Sequence, residues 1–308
     1  MRVRSPLVPA SLTLRELVAA QGRRLRGTLA PGERFPTGMR PSRRRAQGVD
    51  LDSISPYVVG DDLRFMDWRA TARTGRAQMK RFVAESHLAR MLVVDFRSPM
   101  GFATTEHPMA KTAALVAARL TWEAFNLHEP IGLFVVPEDD AIEPRRGRGQ
   151  VIRILSRLVD SYAAIGAKSY SGDNVASEQE PDDDVLEVAV DRAAAALRRG
   201  DEITILSDFG GSLGRLAAVA RKLVGHRVLR AVVIEDAIYD QPVPVGRYPI
   251  RVSHDAARST AVVTRAGSAR HRDAVEQIRG DLRRALDQAG VQVVEATGTA
   301  FLSKGARR

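Results

Sequence analysis

Two aspartates follow apolar stretches at positions where an α/β protein places its working residues. Asp95 comes directly after the apolar run 91–94, and Asp208 follows the run 203–206 and Ser207. Because parallel strands present their carboxyl ends at one edge of a sheet, both carboxylates would share a rim if their strands are neighbours. Two aspartates at such a rim are candidate metal ligands.

A second group of charged residues lies in residues 57–75. Three aspartates alternate there with three arginines: Asp61, Asp62 and Asp67 with Arg64, Arg69 and Arg73. Such spacing suits a network of ion pairs and hydrogen bonds that fixes a loop or hairpin. Trp68 adds a large apolar anchor with one N–H donor. The segment could be a structural clasp packed onto a sheet, a partner-binding surface, or a carboxylate metal cluster for hydrolysis.

The elements that must position these residues alternate along the chain from about residue 89. Apolar runs predict strands at 91–94, 131–136, 203–206, 228–234 and 291–294. Amphipathic periodicity predicts helices at 109–127, 149–164, 185–199 and 269–289, with another between its cap Ser212 and its stop Gly225. Alternating strands and helices indicate a mostly parallel sheet covered by helices on both faces.

The N-terminal 48 residues carry most of the positive charge. The chain has a formal net charge of +10, and residues 1–48 hold eleven arginines but only Glu16 and Glu33 as acids. Residues 11–26 predict a short helix with Ser11 as its cap and Leu14, Leu17 and Val18 on one face. Such an arm could bind nucleic acid, anionic lipid or an acidic protein, or could simply be solvated.

Several classes of function lack their residues in this sequence. The chain has no cysteine, which excludes disulfides, thiolate catalysis and Cys-based zinc sites. It contains no phosphate-binding G-x-x-x-x-G-K-[ST] motif, no G-x-S-x-G and no H-E-x-x-H, and its six histidines show no ligand spacing. It has no apolar run near the roughly 18 residues that span a bilayer and no hydrophobic stretch typical of a signal peptide. We therefore expect a non-enzymatic cytoplasmic protein, with any membrane association arising through partners.

One segment carries a family resemblance. The stretch YVVGDDLRFMDWRATARTG at 57–75 leads into Met79-Lys80-Arg81-Phe82 and Glu85. In this order the motifs closely resemble the signature of the bacterial and archaeal family called domain of unknown function fifty-eight. The resemblance continues through residues 207–209 and Glu235 and covers roughly residues 30–265.

The resemblance implies a fold and partners. Family members look like von Willebrand factor A domains preceded by the signature segment. They are typically encoded beside MoxR-type AAA+ ATPases and other von Willebrand factor A-like proteins, in systems thought to assemble, mature or remodel protein complexes. No catalytic reaction is firmly assigned to the family.

The resemblance also implies a damaged metal site. A von Willebrand factor A domain usually binds Mg²⁺ through D-x-S-x-S after its first strand, together with a later Thr and a later Asp. Here Asp95 is present, but Arg97 and Pro99 stand where the two serines should be. Asp208 matches the later Asp, and the Thr has no clear match. We expect either no physiological cofactor, with Arg97 paired to Asp95 or Asp208, or weak Mg²⁺ binding.

Together these features predict a von Willebrand factor A-like (Rossmann-type) α/β domain at 89–308. A basic arm at 1–48 and a signature segment at 49–88, with short β segments, would precede it. The expected function is a protein-interaction module that partners a MoxR-type AAA+ ATPase. The predicted protein-binding residues are Asp61, Asp62, Asp67, Trp68, Arg69 and Arg97, and the degenerate metal residues are Asp95 and Asp208. The alternatives are nucleic-acid binding through the arm and metal-dependent hydrolysis.

Overall fold

The computed structural model describes most of the chain and divides it into two compact units. The described residues are 11–25, 50–58, 62–83, 88–101, 103, 107–138, 141–170, 185–210, 213–239, 243–251, 258–297 and 302–304. Unit 1 consists of Met1–Ala30 and Leu88–Arg308, and unit 2 consists of Pro31–His87.

The described residues form strands and helices with the following bounds. The strands are β1 (Arg23–Leu25), β2 (Asp50–Pro56), β3 (Gln78–Val83), β4 (Arg90–Asp95), β5 (Ile131–Val136), β6 (Ala141–Arg145), β7 (Glu202–Ser207), β8 (Val228–Glu235), β9 (Gly246–Arg251), β10 (Arg258–Val263), β11 (Gln292–Thr297) and β12 (Leu302–Lys304). The helices are α1 (Leu14–Ala19), α2 (Trp68–Thr74), α3 (Met109–Asn126), α4 (Arg148–Tyr170), α5 (Val185–Ala195), α6 (Leu213–Leu223) and α7 (Arg265–Gln288).

Unit 1 is organised around a six-stranded sheet. Its strand order is β11-β8-β7-β4-β5-β6, and every neighbouring pair is parallel except β5 and β6, which run antiparallel. The inner strands β4, β5 and β7 are almost entirely buried, as expected for strands covered on both faces of a parallel sheet. The predicted mostly parallel α/β sheet is therefore confirmed.

Two apolar cores cover the two faces of this sheet. Along β4, Leu92 and Val94 belong to one core with α1, α3 and α4, whereas Met91 and Val93 belong to the other with α5, α6 and α7. Successive side chains of a strand point to opposite faces, so this alternation places helices on both sides. The expected double-sided covering is confirmed, and it leaves the strand ends as the accessible part of the sheet.

The described part of the N-terminal segment packs into unit 1. The cap of α1 is Thr13, which forms a capping box with Glu16, so the expectation of Ser11 as the cap is wrong. Leu17 is fully buried in the core with α3 and α4, whereas Leu14 and Val18 are partly exposed, which corrects the predicted apolar face. The capping box starts the helix two residues later than predicted.

Two side chains of α3 hold this segment. The Nζ of buried Lys111 donates to the carbonyl oxygen of Ser11 and to Oε1 of Glu16, both at 2.9 Å. The Nε1 of Trp122 donates to the carbonyl oxygen of Leu17 at 3.2 Å. Residues assigned to the arm from their charge thus contribute to the core of unit 1, while the boundary at residue 48 stays a prediction.

Unit 2 contains an antiparallel pair of strands with a short helix between them. β2 pairs with β3, with an irregularity between Leu51 and Ser53, and α2 lies in the connection. The predicted extension with short β segments is present, but α2 was expected only as a loop or hairpin. Its start and stop signals are Asp67 and Gly75, which bracket seven residues.

Candidate functional site

Asp95 and Arg97 form the centre of the rim at the carboxyl ends of the parallel strands. Asp95 ends β4, and its side chain is fully buried. The backbone N and the Nε of Arg97 each donate to Oδ1 of Asp95 at 3.0 Å, and Nη2 donates to Oδ2 at 2.8 Å. The guanidinium therefore holds the carboxylate by both oxygens, in the charge-assisted geometry that arginine favours.

Ser207 supplies a further donor to the same carboxylate. β4 and β7 are neighbours in register, with Val94 beside Leu206, and this places Ser207 next to Asp95. Ser207 Oγ donates to Oδ2 of Asp95 at 2.6 Å and accepts from the backbone N of Phe209 at 2.9 Å. The sequence named Ser207 only as part of a motif, although a hydroxyl at the end of a buried strand was a signal that could have identified it.

Asp208 lies at the same rim, as the adjacency of β4 and β7 requires. Its Oδ1 accepts from the backbone N of Gly210 at 3.1 Å. Burial raises the pKa of Asp208, and the charge of Asp95 adds to this, whereas the backbone hydrogen bond and Arg97 act in the opposite direction. Arg97 thus pairs directly with Asp95 and acts on Asp208 through its charge.

The backbone after Asp208 adopts an unusual conformation. Phe209 is buried in the core with α5 to α7 and has a φ of 58°, in the left-handed region that non-glycine residues rarely adopt. Burial of its ring and the hydrogen bond from its N–H to Ser207 Oγ hold this conformation. The turn therefore keeps Asp208 at the rim while the next side chain points into the core.

Arginines from neighbouring helices bind two further carboxylates near the strand ends. Nε of Arg279 in α7 donates to Oε1 of Glu235 at 2.7 Å, and Nη2 donates to Oε2 at 2.5 Å. After β5, Arg157 of α4 lies 2.9 Å from Glu138. Apart from Glu235, a motif residue, these partners were missed because the sequence does not show which helix returns to which strand end.

The charge state of Arg97 follows from its surroundings. Burial lowers the pKa of its guanidinium, but the hydrogen bonds and the charge of Asp95 outweigh burial, so the pKa of Arg97 is raised. Arg97 is consequently a permanent cation beside Asp95. Among the residues that the structure describes, no group of three or more His, Asp or Glu side chains could hold a metal ion.

The signature segment in unit 2 contains the helix α2, which is fixed at both ends. Oδ1 of Asp67 accepts from the backbone N of Arg69 and of Ala70, both at 3.0 Å. At the other end, Gly75 adopts a φ of 68°, and its N–H bonds to the carbonyl oxygen of Thr71. Asp67 is therefore a helix cap, which differs from the expected ion-paired role.

The side chains that the sequence assigned to this segment take different roles. Asp62 pairs with Arg64 at 2.6 Å, which lowers the pKa of Asp62 through that side-chain hydrogen bond. Trp68 is 71% exposed, so the prediction of a buried anchor is wrong. Arg69 is also exposed, and Asp61 lies outside the described residues. Trp68 is the first residue of α2. It points outward because it lies on the side of the helix away from buried Ala70.

The fold and the rim define a doubly wound α/β protein in which arginines bind several carboxylates at the strand ends. The chain belongs to the family described as "Protein of unknown function DUF58", whose model matches residues 53–287. This match includes both the motif at 57–75 and the rim.

The relatives found carry no functional description. Uncharacterized proteins of Mycobacterium bovis and of two strains of Mycobacterium tuberculosis are each 25% identical over 191 residues, which is 60% of this chain. The match spans 55% of the length of each mycobacterial protein.

A crystal structure of an aerotolerance-related membrane protein from Bacteroides fragilis, with multiple mutations to serines, is 13% identical with a TM-score of 0.31. The match covers 64% of this chain and 99% of the Bacteroides fragilis chain. Within the described part of the present chain, no helix combines the length and apolar character needed to cross a membrane.

Proposed function

We propose that the chain is a non-enzymatic protein-interaction module that partners a MoxR-type AAA+ ATPase in the assembly or remodelling of protein complexes. The observation that carries this proposal is the exposure of Trp68 on a helix capped at both ends, inside the segment that carries the family signature. Exposed Trp and Arg residues on a rigid support are typical of contacts that dominate a protein interface. ATP hydrolysis would belong to the partner.

The hydrogen bonding of Asp95 supports a non-catalytic rim. A carboxylate offers about four lone-pair sites. Asp95 receives four donors: the backbone N, Nε and Nη2 of Arg97, and the hydroxyl of Ser207. These donors leave the carboxylate little capacity to ligate a cation, and the positive charge of Arg97 opposes one. A metal-dependent reaction at Asp95 is accordingly disfavoured.

The strand order supports the von Willebrand factor A-like interpretation that the family resemblance implies. Numbered along the chain within the six-stranded sheet, the strands read 3-2-1-4-5-6, with the third strand antiparallel at one edge. In this order the switch point lies between the first and fourth strands, here β4 and β7, and ligands of such folds bind there. The rim around Asp95, Arg97 and Asp208 is thus a second candidate contact surface.

The test is a pull-down of the tagged full chain from lysate of its own host, with ATP or ADP present, read by mass spectrometry. Recovery of an AAA+ ATPase that Trp68→Ala abolishes would support the proposal. Ile278→Ala, which removes an equally exposed apolar side chain from α7 in unit 1, serves as the matched control. Recovery of nucleic acid alone, lost as salt rises, would contradict it and favour the basic arm as the working part.

A further inference from the structure

The face of α2 that points away from its own unit combines one large apolar side chain with two arginines. Ala70 is buried, and Thr71 faces β3, because its Oγ accepts from the backbone N of Gln78 at 2.9 Å. Helical periodicity then places four other residues of α2 on the outward side. The structure shows all four exposed: Trp68, Arg69, Ala72 and Arg73.

Among residues 62–83, basic side chains outnumber acidic ones. Both acids among residues 62–83 are already engaged, Asp62 by Arg64 and Asp67 by the backbone at the start of α2. Within the described part of the chain, no salt bridge joins a carboxylate to Arg69, Arg73 or Arg76. These guanidinium groups are exposed and are therefore able to pair with carboxylates of a partner.

Apolar surface accompanies this charge. Leu63, in the turn that precedes α2, is 58% exposed, close to the value for Trp68. Leu63 offers nothing to a phosphate backbone, and the outward face of α2 carries a single aromatic ring, whereas single-stranded nucleic acids bind along successive aromatic platforms. A tryptophan flanked by guanidinium groups instead suits an apolar pocket surrounded by carboxylates.

The face is also held in its final form before any partner binds. Asp67 and Gly75 fix the two ends of α2, and the backbone N of Asp67 donates to the carbonyl oxygen of Gln78 in β3 at 2.8 Å. A helix ordered in advance loses little conformational entropy on binding.

We infer that the outward face of α2 docks onto an acidic protein surface, with Trp68 in an apolar pocket and Arg69 and Arg73 paired with the surrounding Asp or Glu side chains. This inference rests on the proposed function and specifies the chemistry of the partner surface. Because the ion pairs form at the edge of a mostly apolar contact, added salt slows association more than it speeds dissociation.

The experiment places a photo-crosslinking amino acid at Ala72 of the full-length protein, in host cells. This exposed position leaves Trp68 and both arginines in place, and a second crosslinker at exposed Ala163 in α4 is the control. The crosslinked peptide is then sequenced by mass spectrometry. We expect the Ala72 crosslinker, but not the Ala163 crosslinker, to capture a peptide with a clear excess of Asp and Glu.

The identity and charge of the captured peptide separate the two proposals. An acidic peptide of an AAA+ ATPase supports both proposals, whereas an acidic peptide of another protein supports the docking inference and contradicts the proposed ATPase partner. Nucleic acid, a second copy of this chain, or a peptide without excess acid overturns the docking inference. The pull-down result for the ATPase would stand independently.

Charge reversal checks the role of the arginines. We expect Arg69→Glu with Arg73→Glu to reduce the crosslink yield by about tenfold, and reversal of the captured Asp or Glu residues to Lys to restore it. Arg247→Glu, at an exposed position on β9, is the control substitution. An unchanged yield in the double variant would overturn the inference.

Discussion

Arg97 holds the carboxylate of Asp95 with its own backbone N–H and with its guanidinium, although the two residues are separated by a single position. The backbone N–H of Arg97 thus closes the turn after β4, and its guanidinium is the countercharge of Asp95. A serine at position 97 would leave the buried carboxylate without a cation, whereas Arg97 makes Asp95 part of a fixed structural element.

Replacement of Arg97 by methionine should destabilise unit 1. Asp95 would keep its bond to Ser207 but would lose its countercharge, and removing one partner of a buried ion pair costs about 3 kcal/mol or more. Urea denaturation measures the free energy of unfolding. The double variant Asp95→Asn with Arg97→Met, which removes the charge as well, should recover part of the loss, and a loss below about 1 kcal/mol in the single variant would contradict the expectation.

Asp208 should make the stability of unit 1 depend on pH. Its folded-state pKa is raised above the ordinary value of 3.8, mainly by burial, so its contribution to stability is complete below that value and is lost as the pH rises through the folded-state pKa. At neutral pH the charged carboxylate therefore opposes folding. Asp208→Asn should raise the free energy of unfolding at neutral pH, with a gain that shrinks as the pH falls toward 3.8.

The amide oxygen that Asp208→Asn introduces can still accept from the N–H of Gly210, so the comparison isolates the charge. Asp160→Asn, an exposed position in α4, is the control. An effect of Asp208→Asn that does not change with pH would show that burial of the charge is not its cause.

Replacement by alanine should lower the free energy of unfolding much more at Trp122 than at Trp68. Trp122 is 3% exposed and lies in the core, so Trp122→Ala should cost about 3–5 kcal/mol. Trp68 is exposed, so Trp68→Ala should change stability by only about 0.5 kcal/mol while removing partner binding. Thermal unfolding and acrylamide quenching of each single-tryptophan variant measure this difference. A large loss of stability in Trp68→Ala would place its side chain in a core.

Changes at either end of α2 should weaken partner binding through Trp68. Gly75→Ala meets no atom within 4 Å, so its cost of about 1 kcal/mol arises from the left-handed backbone conformation alone. Asp67→Ala should cost about 1 kcal/mol through the lost cap. We expect both variants to weaken partner binding although every contact side chain is intact. Full binding by both would show that fixing the helix in advance is unimportant.

Divalent cations should leave the wild-type protein unchanged. A ligand at concentration c that binds only the folded protein stabilises it by RT ln(1 + c/Kd), which is negligible when Kd far exceeds c, and Asp95 already receives four donors. Thermal unfolding in millimolar Mg²⁺ and in EDTA should give the same melting temperature. A clear rise with Mg²⁺ that Asp95→Ala abolishes would identify a working metal site.

The sequence predicted the sheet well because strands buried on both faces leave continuous apolar runs, such as 91–94 and 131–136. It missed β6, which contains Pro144 and has mostly polar neighbours, and β9, which contains Pro249, because edge strands and hairpins lack that pattern. It also started α7 at residue 269, whereas Thr264 caps it earlier.

At the candidate sites, residue type alone was less informative than local geometry. The pairing of Arg97 with Asp95 could be anticipated as one option because the residues are two apart. For Trp68 the sequence left a packed clasp and a partner-binding surface both open, because a tryptophan is usually buried and the helix that turns it outward depends on Asp67 acting as a cap. The partners Arg157 and Arg279 depend on tertiary structure, which local spacing does not reveal.

The hydrogen bond between Ser207 and Asp95 joins residues that are 112 positions apart, and the chain between them forms α3, β5, β6, α4 and α5. Contacts at such sequence separation form slowly, because a long segment must be ordered before the two strands can pair. A newly made chain thus completes this rim only when β7 has docked beside β4. Any partner that binds the rim would distinguish finished molecules from folding intermediates, and would act only on the finished ones.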